Sequence, residues 1–149
     1  PAAHPVRHDF ERAGAMFAGS VPMQVLIESD ITDAFKDPAQ LALVAEVQAW
    51  IADQPEIGGV YSLVDYIGVL NRGLAPERSN GQAIPASAAL TEQLLMLGGG
   101  EDLDRFADSR FTSTLLHVHC SVTSTRDLVA LAVDGWIIKQ TRHDAWKIR

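Results

Sequence analysis

Two histidines separated by one residue, His117 and His119, have the only spacing in the chain that resembles a pair of metal ligands. In a β-strand, residues two apart point to the same side, so both imidazoles could reach one ion. A metal site needs at least a third ligand, and no HxxE or CxxC motif accompanies the pair. His4 and His8 lie in an N-terminal segment without a clear pattern. We therefore favour two half-exposed histidines on an open sheet face, and we predict neither a metal nor another cofactor.

Nucleophilic and phosphate-binding chemistry has weaker support in the sequence. The chain has no G-x-S-x-G motif, and Cys120 falls on the apolar side of its strand, which predicts a buried thiol. The glycines at 98–100 follow a helix and precede acidic residues, so they suit a helix end better than a phosphate cradle. We predict no catalytic residues and no enzymatic activity. A small metal-dependent enzyme built on His117 and His119 is the least favoured hypothesis.

Length and composition limit the classes of function. The 149 residues are 47% hydrophobic, carry a formal net charge of −7 and include one cysteine. This charge disfavours nucleic acid as a partner, and one cysteine excludes an intramolecular disulfide framework. No apolar run approaches the ~20 residues of a membrane helix, and the sequence lacks the pattern of a signal peptide. Because it begins with Pro1 and stops after a strand-like segment, we expect a piece of a longer protein.

Hydrophobic periodicity predicts the elements that must position these residues. Alternating residues predict strands at Val21–Ser29, Ile57–Asp65, Phe111–Val122 and Ala145–Arg149. Helices are predicted from an Asp37 cap to about Asp53, over Ile67–Leu74, over Ser87–Leu97 and from a Ser124 cap to about Arg142. Without the middle helices, the order is β-α-β-β-α-β, a ferredoxin-like split βαβ of the α+β class. We expect an N-terminal extension at 1–20 and an α+β domain at 21–149, with a helical insertion at 66–110.

On the helix that starts at Asp37, the spacing predicts a buried stripe formed by Leu43, Val47, Trp50 and Ile51.

The predicted insertion is rich in apolar residues. It has more of them than a simple linker needs, so they form either a satellite core or the lining of an apolar pocket. For such a cleft we predict seven lining residues, Tyr61, Leu63, Tyr66, Leu70, Leu94, Met96 and Phe106, with His117 and His119 as polar candidates on the open sheet face.

Several short motifs follow one another in a fixed order over most of residues 17–149. The upstream motifs are Gly19-Ser20-Val21-Pro22-Met23-Gln24-Val25, Phe35-Lys36-Asp37-Pro38, Pro55-Glu56-Ile57-Gly58-Gly59-Val60, Ser62-Leu63-Val64-Asp65-Tyr66 and Leu70-Asn71. The downstream motifs are Ile84-Pro85, the helix at 90–97, Gly99-Gly100-Glu101-Asp102-Leu103 and the strand from Phe111. Their order and spacing resemble the extracytoplasmic loop of RND-superfamily exporters, in the lipid-exporter branch that includes MMPL-like and hopanoid-type transporters.

This resemblance implies a ferredoxin-like porter subdomain at the periplasmic face of the bacterial inner membrane. The expected function is to bind or guide a hydrophobic lipid, of the sterol or hopanoid class, during export. The expected partners are this lipid, the rest of the transmembrane transporter and, as a further candidate, a periplasmic lipid-carrier protein. The proton-relay carboxylates of such pumps lie in membrane helices, so the resemblance assigns no catalytic residue to this chain. The alternative is a structural module that docks a neighbouring porter subdomain or a periplasmic partner and has no ligand pocket.

Overall fold

The computed structural model describes residues 21–74, 83–98, 100, 102–121 and 146–148, and within them the chain is a mixed α+β structure. Its strands are β1 (Val21–Ser29), β2 (Ile57–Tyr61), β3 (Ser113–Cys120) and β4 (Trp146–Ile148). Its α-helices are α1 (Pro38–Ala52), α2 (Leu63–Leu74) and α3 (Ala88–Gly98), and two short 3₁₀ helices span Ala34–Lys36 and Leu103–Arg105. The predicted helix at 124–142 and the N-terminal extension at 1–20 lie outside the described residues.

The described strands form one antiparallel sheet in the order β2-β3-β1-β4. Cys120 pairs with Val21 on β1 and with Ile57 on β2, whereas His117 pairs with Gln24 and Tyr61. Side chains of paired residues share a face of the sheet. Burial alternates along β3, where Leu116, Val118 and Cys120 are buried and His117 and His119 are partly exposed, so the predicted two faces of this strand are confirmed.

The covered face of the sheet packs against α1 and α2 around one hydrophobic core. The largest fully buried apolar side chains there are Phe35, Ile27, Leu41, Leu63, Ile67 and Leu116. Asp37 caps α1 as predicted, because its carboxylate accepts a hydrogen bond from the Ala39 amide at 2.8 Å, and Pro38 is the first helical residue.

The predicted buried stripe of α1 is correct for Val47 and Ile51 and wrong for Leu43 and Trp50. Leu41 and Val44 occupy the other buried positions, while Leu43 and Trp50 are only partly buried. The helix carries apolar residues on nearly every side, so periodicity alone does not select the side that packs on the sheet.

The predicted extension of the second strand to Asp65 is wrong, because β2 ends at Tyr61 and α2 begins at Leu63. Ser62 caps this helix: its hydroxyl accepts from the Val64 amide at 3.1 Å, and the Asp65 carboxylate accepts from the Ser62 amide at 2.9 Å. This reciprocal pair is a capping box. The Gln48 side chain of α1 donates to the same carboxylate at 2.7 Å and so ties the two helices together.

Candidate functional site

The face of the sheet opposite the core, here called the open face, is crossed by rows of paired side chains. From the C-terminal end of β3, the first two rows are Pro22–His119–Gly59 and Gln24–His117–Tyr61. The third row, Leu26–Leu115, is apolar, and the fourth is Glu28–Ser113. Pro22 and Gln24 are exposed, and Tyr61 keeps 53% of its surface accessible. An apolar row therefore lies between polar rows on a surface that the described helices do not bury.

Phe106 extends the apolar row beyond the end of β2. Ala107 forms an antiparallel bridge with Thr114, and the Leu115 amide donates to the Phe106 carbonyl at 2.8 Å, so Phe106 lies opposite Leu115. Its ring meets the His117 ring edge to face, with centroids 5.3 Å apart. The backbone of residues 106 and 107 thus continues the edge that β2 leaves at Tyr61. The Phe106 ring lies at this edge, where it contacts His117 on one side and the hydrophobic core on the other.

Aromatic and imidazole rings form two contact groups on this part of the molecule. The Tyr66 ring lies 5.7 Å from that of Phe106, which in turn contacts His117, and the Tyr66 hydroxyl donates to the Gly98 carbonyl at 2.8 Å. Tyr61 packs edge to face on His119, with centroids 6.1 Å apart. Of the predicted set, Tyr66, Phe106 and His117 thus form one group, and Tyr61 and His119 form the other. Tyr66 and Phe106 also pack, partly buried, against the hydrophobic core.

The hydrogen bond of His117 defines its tautomer. Its Nε2 lies 2.8 Å from the carbonyl oxygen of Arg105, which can only accept a hydrogen bond. Nε2 must therefore carry the hydrogen, and in the neutral ring Nδ1 is an acceptor. The carbonyl belongs to the last residue of the short 3₁₀ helix Leu103–Arg105, so this helix orients the imidazole.

A turn from Asp108 to Ser113 holds Phe106 in place. The Asp108 carboxylate accepts from the amides of Thr112 and Ser113, both at 2.7 Å, and from the Thr112 hydroxyl at 2.8 Å. Burial raises the pKa of Asp108, but the hydrogen bonds from Ser113 and Thr112 outweigh it, so the pKa lies below its ordinary value. Phe111 adopts a left-handed backbone with φ of 50° inside this turn, and its amide donates to the Asp108 carbonyl at 3.0 Å.

The remaining predicted lining residues lie away from the open face. Leu63 is fully buried and Leu94 is 2% exposed, and Leu63 belongs to the hydrophobic core. Leu70 packs partly buried against the same core and lies beside Gly98. Met96, in the last turn of α3, is 81% exposed. These four residues do not join the ring contacts around His117 and His119.

Sequence reasoning did not select Gln24, Leu26 and Leu115 as site residues, although they share the open face with His117. The alternation along β1 and β3 already separates these residues from the buried ones. The missing information was the register, because only strand pairing places Gln24 beside His117 and Leu26 beside Leu115.

Among the described residues, no group of three or more His, Cys, Asp or Glu side chains is arranged to hold a metal ion. No helix within the described part of the chain is long and apolar enough to cross a membrane. Neither a protein-family model nor a curated protein matches this sequence.

Proposed function

We propose that the chain is a periplasmic domain of an RND-type inner-membrane transporter, which contacts a hydrophobic lipid of the sterol or hopanoid class during export. The observation that carries this proposal is the open face, where Tyr61 and His117 lie in the row next to the apolar row of Leu26, Leu115 and Phe106. Aromatic surface with a few polar groups suits a ligand that is mostly hydrocarbon and has one polar end. We infer that this domain contacts the lipid but does not supply the energy for transport. Its partners are the lipid, the rest of the transporter and a periplasmic lipid carrier.

The sheet supports a ferredoxin-like porter fold. In a split βαβ, the first and third strands are central and the second and fourth are at the edges, which agrees with the order β2-β3-β1-β4 found here. The helix α1 that connects β1 to β2 packs on one face, as the first crossover helix of such a fold does. We take the other face, which the described helices do not cover, as the one that meets a ligand or a neighbouring domain.

The accessible area of Tyr61 determines how much this side chain should contribute to the free energy of binding. Tyr61 is 53% exposed, and a tyrosine of this exposure offers about 100 Å² of surface to a ligand. At ~25 cal/mol per Å² of apolar area, covering this side chain contributes about 2–3 kcal/mol. Removing it should therefore weaken binding by at least about tenfold.

A titration with a fluorescent sterol tests cargo binding directly. Wild type should show saturable binding, and Tyr61→Ala should weaken it by about tenfold or more. Ile31→Ala is the matched control, because Ile31 is a 63% exposed apolar residue in the turn after β1. Non-saturable binding, or equal losses in the two variants, would refute the proposal.

The membrane context has a separate test in the flanking sequence of the parent gene. A porter domain of this type should be preceded and followed by apolar segments of ~20 residues. A parent protein without such segments would remove the transporter from consideration, whatever the result of the lipid titration.

A docking function without a ligand is the second candidate, and the end of α3 favours it. Met96 and Leu97 are 81% and 77% exposed there, and large adjacent apolar side chains in water are typical of contact surfaces. This alternative predicts that Met96→Glu impairs transport by the full-length parent but leaves sterol binding by the domain unchanged. Loss of sterol binding in Met96→Glu would instead attribute this surface to the ligand.

A further inference from the structure

We propose that the open face recognises a hydroxyl group of its ligand through Nδ1 of His117, while the hydrocarbon body lies over Leu26, Leu115 and Phe106. The inference rests on the proposed function and adds the chemistry of the head group. It assigns the polar end of the ligand to one row of side chains and the apolar end to the next.

The hydrogen-bonding capacity of His117 determines which ligand groups can pair with it. Its Nε2 hydrogen is occupied by the Arg105 carbonyl at 2.8 Å. Among the described residues, no side chain or backbone group bonds to Nδ1, and a neutral imidazole offers an acceptor at that atom. A ligand group that pairs with Nδ1 must therefore donate a hydrogen, as an alcohol does and an ether or a ketone does not.

The side chains next to His117 provide further hydrogen-bonding groups and an apolar row. Gln24 and Tyr61 lie on either side of His117 in the same row, so an amide and a phenol can complete the hydrogen bonds of a hydroxyl oxygen. The apolar row of Leu26, Leu115 and Phe106 lies two residues away along β3, roughly 7 Å from this polar row. A molecule with one hydroxyl and a rigid hydrocarbon body can contact both rows at once.

The head group that suits His117 is uncharged. A carboxylate head has no hydrogen to donate to Nδ1. The Arg105 side chain is directed to a different partner, since its Nε lies 3.5 Å from the Asp102 carboxylate. The open face thus suits an uncharged alcohol better than a fatty acid.

The test compares a fluorescent sterol with its methyl ether, which has the same hydrocarbon skeleton but no hydroxyl hydrogen. Wild type should bind the alcohol more tightly by roughly two- to tenfold, the range of one neutral hydrogen bond. His117→Phe keeps a planar ring but removes both nitrogens, so it should bind the two ligands equally. Ile31→Ala, in the turn after β1 and outside the strands, is the matched control and should keep the preference for the alcohol. His119→Phe, on the same strand and face as His117, tests the other histidine.

The outcomes separate this inference from the proposed function. Equal binding of alcohol and ether by the wild type overturns the inference and leaves cargo binding intact, and this comparison needs no variant to fold. A preference that disappears in His119→Phe and persists in His117→Phe also overturns it, because the head group then lies at the other histidine. If neither ligand binds saturably, both the inference and the proposed function are wrong.

Discussion

Replacing Asp108 with alanine should destabilise the domain and loosen the segment that carries Phe106. The Asp108 carboxylate is the acceptor for two backbone amides and one hydroxyl in the turn from 108 to 113. These bonds hold Phe111, whose left-handed φ of 50° is unfavourable for a bulky residue. Alanine offers no acceptor, so the two amides would have to find water or remain unpaired.

The magnitude follows from the number and kind of hydrogen bonds lost. A hydrogen bond to a charged group contributes about 1.5–3 kcal/mol, but Thr112 and Ser113 are only partly buried, so water replaces some of this. We expect Asp108→Ala to lower the free energy of unfolding by about 2–4 kcal/mol. For a chain of this size, this corresponds to a fall in Tm of roughly 5–15 °C. Asp108→Asn keeps the shape and one acceptor oxygen, so it should lose only about 1 kcal/mol.

The pH dependence of the difference between wild type and Asp108→Asn isolates the charge. The pKa of Asp108 is lower in the folded protein than its ordinary value of 3.8, despite burial, because Ser113 and Thr112 donate to the carboxylate. A lowered pKa means that the carboxylate stabilises the fold at pH values above 3.8, and that this stabilisation disappears as the pH falls through the folded value. The difference should therefore be constant from neutral pH to about pH 5 and shrink below pH 3.8.

Urea unfolding monitored by circular dichroism at several pH values measures both quantities. A loss of less than about 0.5 kcal/mol in Asp108→Ala would refute the structural role of the turn. A difference between wild type and Asp108→Asn that is the same at neutral and acidic pH would refute the electrostatic part alone. The m-value is an internal control, because an altered slope would indicate a change in cooperativity.

Three further predictions test the packing around the candidate site, all by urea unfolding at neutral pH. Ser62→Ala should cost about 0.5–2 kcal/mol, because it removes both the α2 cap and the hydroxyl that donates to Gln48; a loss below this range would contradict the capping role. Leu94→Asp should unfold the domain, because Leu94 is 2% exposed and a charge there would be buried. Met96→Asp on the same helix is the control and should change the free energy of unfolding by less than about 0.5 kcal/mol, because Met96 is 81% exposed. Equal destabilisation by the two variants would contradict the burial of Leu94. Gly98→Ala should cost less than about 1 kcal/mol, because the new Cβ would meet the methyl end of the partly buried Leu70 side chain, which can turn aside, and combining it with Leu70→Ala should give a smaller loss than the sum of the two.

Strands with strict alternation were predictable from the sequence. The bounds of β1, Val21–Ser29, agree with the prediction, and the buried side of β3 was assigned correctly. Along β3 buried and partly exposed residues alternate strictly, and along the first half of β1 partly buried and exposed residues alternate. The period of two in the sequence therefore reflects a real difference between the sides of these strands. The cap at Asp37 was also predictable, because a capping carboxylate followed by proline is a local signal.

The boundary between β2 and α2 was not predicted, because two signals competed over the same residues. Leu63 and Val64 are apolar and continue the run of the preceding strand, which favours a longer strand. Ser62 and Asp65 have the spacing of a capping box, which favours a helix start at Leu63. The capping box satisfies two amides at the helix end, and Gln48 reinforces it, so the helix begins there.

In the candidate site too, the local sequence pattern predicted some residues correctly, and only the tertiary contacts identify the others. His117 and His119 were placed on the open face by alternation alone, whereas the apolar candidates were chosen by composition. Composition does not distinguish a residue that lines a cleft from one that fills a core, and Leu63 and Leu94 are buried. Gln24 and Leu26 could be recognised only after the pairing of β1 with β3 was known.

Binding and stability should be coupled through the turn at 108–113. This turn fixes the ring of Phe106 beside His117, and the 3₁₀ helix that precedes Phe106 supplies the carbonyl that orients the imidazole. Phe111 holds the other side of the turn, since its carbonyl accepts from the Phe35 amide at 3.2 Å and the Lys36 ammonium lies 4.8 Å from its ring centroid. Loosening the turn should therefore displace the groups proposed to contact the lipid. Under conditions where Asp108→Ala remains folded, we expect weaker sterol binding than in Ser62→Ala, whose cap lies on a different element; equal affinities would show that the turn stabilises the fold without shaping the site.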